Sequence, residues 1–278
     1  MGCSPARGSR PVLGSDEAFT REASEGASVV YFALNPPYNK WPELFPGLQA
    51  GVLEGAASAG AKLIAMENLY MYGPTGGRPI TEELPYAANT RKGTVRARMS
   101  EELMEAHKSG KVRVAIGRAS DFFGPGALES AAGEQVFGRA VEGKSAQLLG
   151  DPDQLHTYTY TLDIGKGLVI LGEREEALGR AWHLPSPETL TTRQFVEMIF
   201  EEVGKPARVQ APPKILLRAL GLFNPVIRET IEMRYEFEEP FVLDTSDFTR
   251  TFGDHATPLR EAIQRTVRWY REERSAGT

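Results

Sequence analysis

The sequence predicts an α/β fold in which a parallel β-sheet carries helices on both faces. Three observations carry this: apolar runs of strand length recur, segments of helical period separate them, and the links between are short. Ser28-Val29-Val30-Tyr31-Phe32-Ala33-Leu34 is rich in β-branched and aromatic residues and is closed by Asn35-Pro36-Pro37. That is the pattern of a strand buried on both sides. From Pro42 to Ala59 the period changes, with Phe45, Leu48, Val52, Ala56 and Ala59 spaced by three and four behind a proline in the first turn. Residues 62–66 read as a second strand, residues 94–108 as a second helix through Val95, Met99, Leu103 and Ala106, and residues 112–116 as a third strand. Strand, helix, strand, helix, strand implies right-handed crossovers.

The ends are less regular. Residues 1–14 carry Gly, Pro, Ser and Arg without periodicity and are expected to form a poorly ordered leader. Residues 15–278 are expected to form one domain, with a smaller lobe interleaved mainly over 127–255, where the alternation loosens. Thr191 and Gln194 form a capping box opening a helix with Phe195, Met198, Ile199 and Val203 on one face, and Gly204 followed by Pro206 ends it. Thr257-Pro258 opens a last helix that turns Leu259, Ile263, Val267 and Tyr270 inward. Asp163 is expected to cap a helix N-terminus, and His107 lies near a helix C-terminus. The evenly spaced Gly47, Gly51 and Gly55 are expected to permit close helix packing.

Composition excludes several function classes. At 278 residues and 41% hydrophobic content the chain can bury a sizeable core, and a formal net charge of -5 with dispersed cations leaves no basic stripe for nucleic acid. The single cysteine, Cys3, excludes an intrachain disulfide, and His107, His156, His183 and His255 lack zinc-type spacing, so no metal is expected. No apolar run is long enough to span a bilayer, and Ala6 breaks the acylation pattern that Met1-Gly2-Cys3 would begin. A cytoplasmic setting is expected.

Four further segments share a family likeness. Glu67-Asn68-Leu69-Tyr70-Met71-Tyr72-Gly73 follows a strand as the Ser-Ser-x-x-Val-Tyr-Gly turn does in NAD-dependent epimerases and dehydratases. Arg118-Ala119-Ser120-Asp121-Phe122-Phe123-Gly124-Pro125-Gly126 resembles that family's Arg-x-x-Asn-x-Tyr-Gly-Pro-Gly. Residues 157–163 resemble its Asp-Phe-Val-x-Val-x-Asp step, and Trp182-His183-Leu184 its Tyr-Asn-Val strand. In this order, over roughly residues 15–270, the chain resembles the extended short-chain dehydrogenase/reductases. The resemblance implies a Rossmann-type fold, bound NAD or NADP, and chemistry on a hydroxyl or carbonyl of a small molecule such as a nucleotide sugar. It places Ala33, Leu34, Asn35, Arg96, Asp121 and Phe122 against the cofactor. It also suggests a homodimer through helices 42–59 and 94–108.

Two departures qualify that picture. A dinucleotide site needs a strand, a glycine-rich turn and a helix N-terminus, and the sequence holds no such unit. Residues 28–34 match the family's fourth strand, so the first strands are expected to be missing, cofactor binding is placed in doubt, and residues 29–34 become an edge strand. The reacting groups also differ: Asn68 stands at the Ser/Thr position, and Lys92-Gly93-Thr94-Val95-Arg96 stands where the family has Tyr-x-x-x-Lys. Lys92 either transfers a proton with Arg96 beside it, or both are solvated residues at a helix start. Tyr86 is the nearest spare phenol, available as acid/base or as loop packing. The alternatives to an enzyme are a non-catalytic Rossmann-fold binding or regulatory protein and an inactive remnant.

Overall fold

The computed structural model describes residues 13–212 and 231–276. Cys3, most of the predicted leader (1–12) and residues 213–230 of the predicted lobe lie outside the described residues. In chain order the elements are α1 (Glu17–Ala23), β1 (Val29–Phe32), α2 (Trp41–Ala59), β2 (Lys62–Glu67), α3 (Arg91–Lys108), β3 (Arg113–Arg118), β4 (Asp121–Phe123), α4 (Arg139–Glu142), β5 (Ala146–Gln147), β6 (Leu155–His156), β7 (Tyr158–Tyr160), α5 (Thr161–Glu173), β8 (Ala181–His183), β9 (Leu190–Thr191), α6 (Thr192–Val203), β10 (Val209–Gln210), α7 (Ser246–Phe252) and α8 (Leu259–Ala276).

The main sheet is parallel, in the order β1-β2-β3-β8, with β1 at its edge among the described residues. The expected α/β class and its helices on both faces are what the structure has. On β2 and β3 the side chains alternate between faces, as the pleat requires. Leu63, Ala65, Val114 and Ile116 pack with Phe45, Leu48, Met99 and Leu103 from α2 and α3, while Ile64 and Ala115 pack with Ile164, Leu168 and Leu171 from α5. A separate core joins α4, α6 and α8 with β4, β5 and β7 around Phe137, Phe195, Ile199 and Tyr270. No described helix is long and apolar enough to cross a membrane.

Several local expectations are refined. The first strand is four residues long, because Ala33, Leu34 and Asn35 leave the sheet exposed ahead of Pro36 and Pro37. Residues 17–23 form a helix that apolar periodicity alone does not show, started by Asp16, whose carboxylate accepts from the amides of Ala18 and Phe19. This helix and the turn before it explain two of the α2 glycines. A Cβ on Gly51 would stand 2.1 Å from the Gly14 carbonyl oxygen, and one on Gly55 2.6 Å from that of Thr20, so these residues let the chain's own N-terminal segment lie directly on α2. The capping box at Thr191 and Gln194 forms as expected. Asp163 corrects the sequence reading. It lies inside the first turn of α5 rather than at the N-cap, and its buried carboxylate accepts from the Thr257 amide and hydroxyl, both at 2.7 Å, tying α5 to the start of α8.

Candidate active site

The register of the sheet builds the site. β2 pairs Glu67 with Arg118, and β3 pairs Arg118 with His183, so three polar residues stand in a row at the carboxyl ends of the strands. In α/β proteins that is the edge where ligands bind. Glu67 and Arg118 share the parity of Leu63, Ala65, Val114 and Ile116, which turns them toward α3. From that helix Lys92, Arg96 and Ser100 recur every fourth residue on one buried face.

Arg118 is the hub of the lower layer. It is 1% exposed, donates from Nε to Glu67 Oε2 at 3.1 Å, from Nη1 to the Tyr72 hydroxyl at 2.5 Å, and from Nη2 to Ser100 Oγ at 2.7 Å and to the Tyr86 hydroxyl. Burial alone would lower its pKa, but Glu67 and the two tyrosines reverse this and hold it above the ordinary value. The Tyr72 hydroxyl also bonds His183 Nε2 at 2.9 Å, and His183 Nδ1 bonds the Asp244 carbonyl oxygen at 2.9 Å. A carbonyl only accepts, so Nδ1 donates and Nε2 takes the Tyr72 proton; the ring is neutral. Burial pushes the His183 pKa down to about 3, which keeps it neutral at physiological pH.

Above this layer Arg96, 2% exposed, pairs with Glu67 Oε1 at 3.6 Å, donates to the Met66 carbonyl at 3.3 Å and lies over the Phe45 ring. Its Nε has no hydrogen-bond partner among the described residues. At the top, Lys92 is fully buried. Its Nζ stands 3.5 Å from Glu232 Oε2 and 4.3 Å from the Tyr38 ring centroid, and the Tyr38 and Tyr70 hydroxyls are 3.3 Å apart. Both phenols are raised from the ordinary value, chiefly by burial. Neither cation of the altered motif is solvated, which removes the bland reading of Lys92 and Arg96.

The predicted site residues are distributed as follows. Asn68, half-buried, accepts the Tyr70 amide at 3.3 Å, and the Tyr70 carbonyl lies where a Cβ on Gly93 would stand, so Asn68 and the Lys92 turn share one neighbourhood. Tyr86 is elsewhere: it bonds Arg118 and Ser100, two helical turns or roughly 12 Å along α3 from Lys92. Ala33, Leu34 and Asn35 are exposed. Asp121 is half-buried, with Oδ2 2.9 Å from His156 Nε2, and Phe122 is exposed beside it. Sequence reasoning missed Tyr38, Tyr70, Glu232 and Glu236. The two glutamates lie 140 and more residues from Lys92, with no motif around them, whereas Tyr38 and Tyr70 directly follow the first two strands and that position alone was a usable signal.

A dinucleotide site needs open groups at this edge and a glycine-rich turn for its phosphate end; Ala33, Leu34 and Asn35 are exposed where β1 ends, and Asn68 is half-buried after β2. Among the described residues no strand passes through a glycine-rich turn into a helix, so the phosphate end has no counterpart there.

Comparison with known proteins agrees with the geometry. The family model of the NAD dependent epimerase/dehydratase family matches residues 47–184. No curated protein matches the chain. An epimerase from Methanothermobacter thermautotrophicus is similar in structure with a TM-score of 0.78 at 18% identity, over 96% of this chain and 79% of that one. A dTDP-glucose 4,6-dehydratase from Streptomyces venezuelae, solved with NAD, gives 0.73 at 19% over 95% and 79%. A UDP-glucuronic acid 4-epimerase from Bacillus cereus in complex with NAD gives 0.73 at 15% over 91% and 78%. At these identities the solved structures speak for the fold, a Rossmann-type α/β architecture. The match over β2, β3 and their flanking motifs places residues 47–184 in the NAD-dependent epimerase/dehydratase family, of the extended short-chain dehydrogenase/reductase type.

Proposed function

We propose that the protein is an NAD(P)-linked oxidoreductase or epimerase-like enzyme acting on a hydroxyl or carbonyl of a small molecule, with a nucleotide sugar as the leading substrate class. The observation that carries this reading is the concentration of ionisable groups, buried or half-buried, at the carboxyl ends of β1, β2 and β3. Tyr38, Tyr70, Lys92, Glu232, Glu236, Asp121 and His156 gather there. Bound at this edge, NAD(P) would accept or donate hydride. Ala33, Leu34 and Asn35 line its approach together with Asn68, Arg96, Asp121 and Phe122. The Asn68 amide offers a donor for a substrate oxygen, and the lobe over 127–255 holds the rest of the substrate. Lys92 serves as a fixed positive charge on Tyr38 and Glu232, and Arg96 and Tyr86 hold the floor of the site through Glu67 and Arg118.

Trp41 provides the assay. Its ring lies 5.1 Å from Tyr38 and 5.7 Å from Tyr70, while Trp182 is packed with Phe248 and Phe252 on the opposite face of the sheet. Micromolar NADPH is expected to quench emission in the wild type and not in Trp41→Phe, and nucleotide-sugar-dependent NADH or NADPH turnover is expected to accompany it. A well-folded sample that shows neither response refutes the enzyme reading. That result would favour a non-catalytic binding protein, a reading supported by the engagement of both motif cations with glutamates. We also propose a cytoplasmic homodimer in which helices 42–59 and 94–108 meet their symmetry mates, checked by light scattering at several concentrations.

A further inference from the structure

Glu236 is a buried carboxyl with no part in the contacts described so far. It is 2% exposed, and its Oε1 has no hydrogen-bond partner among the described residues. It lies on the short 3-10 helix Arg234–Phe237, and its neighbours on both sides fix its place. Glu232, one turn earlier, meets Lys92 at 3.5 Å. Phe237, the next residue, stacks on His156 at 4.9 Å with the rings 4° from parallel, and His156 in turn bonds Asp121 at 2.9 Å. Glu236 thus shares one short segment with residues that reach the Lys92 turn, where the family places its reacting phenol, and the Asp121–His156 pair. The Asp121 side chain, 18% exposed, is the part of this group that reaches solvent.

We propose that Glu236 is the proton-transfer group of this site, with Asp121, itself paired with His156, as the route by which its proton is replaced. The proposal rests on the reading of this edge as an active site. In the transfer, the carboxyl O–H bond breaks and an O–H bond forms on a substrate oxygen. The electron pair stays on Glu236 as carboxylate, and the reverse step takes the proton of an alcohol. The ionisable groups that act on it or feel its charge are Asp121 from β4, Tyr38 ahead of α2, Tyr70 after β2 and Tyr235 on its own segment. Lys92, the nearby cation of the altered motif, is held by Glu232. Burial, with Asp121 adding to it, raises the Glu236 carboxyl well above the usual carboxylate range. Tyr38, Tyr70 and Tyr235 are raised too, with Glu236 among the causes for each, so these phenols keep their protons and do not compete as donors.

The test combines infrared spectroscopy of the free protein with turnover of UDP-glucose and dTDP-glucose in Glu236→Gln and Glu236→Asp. The C=O stretch of an un-ionised carboxyl is expected in the wild type at pH 7.5 and is expected to vanish in Glu236→Gln. Glutamine has the shape of the neutral acid, so the fold should be kept. The same variant is expected to lose about 10²–10⁴-fold in kcat with KM little changed, and aspartate to recover part of the loss. Absence of the band, or a band that survives Glu236→Gln, overturns the proposal. So does a Glu236→Gln kcat within about threefold of wild type. If the wild type turns over nothing, the enzyme reading fails separately, and the infrared result alone upholds or removes Glu236 as the proton carrier.

Discussion

Glu67→Gln is the most direct test of how the carboxyl edge is held together. Glu67 is 1% exposed and is the shared counter-ion of Arg118 at 3.1 Å and Arg96 at 3.6 Å, themselves 1% and 2% exposed. Glutamine keeps the volume and removes the charge, leaving two guanidiniums in a space that water does not reach. Breaking one partner of a buried pair typically costs about 3–5 kcal/mol, because the remaining charge has lost its compensation. For a chain of this length that corresponds to a fall in Tm of about 6–15 °C. The control is Glu201→Gln, whose partner Arg260 lies 3.2 Å away with the two side chains 65% and 59% exposed; an exposed pair is worth about 0–1 kcal/mol. Thermal and urea unfolding at pH 7.5 measure both. A Glu67→Gln loss as small as that of Glu201→Gln would show that Glu67 is not the charge compensating these arginines, and would refute the account of the site's floor.

Three further outcomes follow from the same contacts. His183, with its pKa pushed down to about 3 against an ordinary 6.5, binds fewer protons folded than unfolded, so its contribution is complete above pH 6.5 and erodes as pH falls toward 3; moving from pH 7.5 to pH 5 should remove about 2 kcal/mol. Glu82 and Glu236 are raised and act with the opposite sign across acidic pH, so the readout is the difference in pH slope between wild type and His183→Asn, and equal slopes would contradict the shift. On α2, Gly51→Ala should destabilise by about 1–3 kcal/mol through its clash with Gly14, whereas Gly47→Ala, with nothing nearer than 3.7 Å, should gain up to about 1 kcal/mol in helix propensity; urea midpoints distinguish them. Asp163→Ala should cost at least about 2 kcal/mol and loosen α8 from α5, read as faster amide exchange at Thr257.

The sheet and its helices were legible because each buried strand and each amphipathic helix announces itself within a short window. Val29 to Phe32 and the Phe45, Leu48, Val52 series need no distant residue to be recognised. Helix α1 escaped because it presents little apolar periodicity, and its visible sign was Asp16 ahead of a helix-forming run. Asn68, Lys92 and Arg96 are candidates by motif position, but their state could not be read there. A lysine and an arginine at a helix start look solvated in sequence, and only the arrival of Glu232 and the register of Glu67 beside Arg118 show that both are sealed. Asp163 misled for a related reason, since the threonine that needs its oxygens is ninety-four residues away.

Arg118 sharpens the point about motifs. It opens the Arg-x-x-Asn-like segment and, by position alone, invites a role in binding. The structure gives each of its donor nitrogens a partner inside the chain, on Glu67, Tyr72, Ser100 and Tyr86. Tyr72, from the motif after the preceding strand, is held by the same guanidinium and by His183 from the strand after it. Three of the four segments that carry the family resemblance are thus joined by one buried hydrogen-bonded network, whose members depend on one another for compensation of charge. Such a network persists independently of what the groups above it do. This accounts for recognisable, though not identical, motifs on β2, β3 and β8 beside an altered Lys92-x-x-x-Arg96 on α3. On the proposed reading, the chemistry is therefore to be sought in the groups above the network, at Lys92, Asp121 and Glu236, rather than in the motif residues that hold the strands in line.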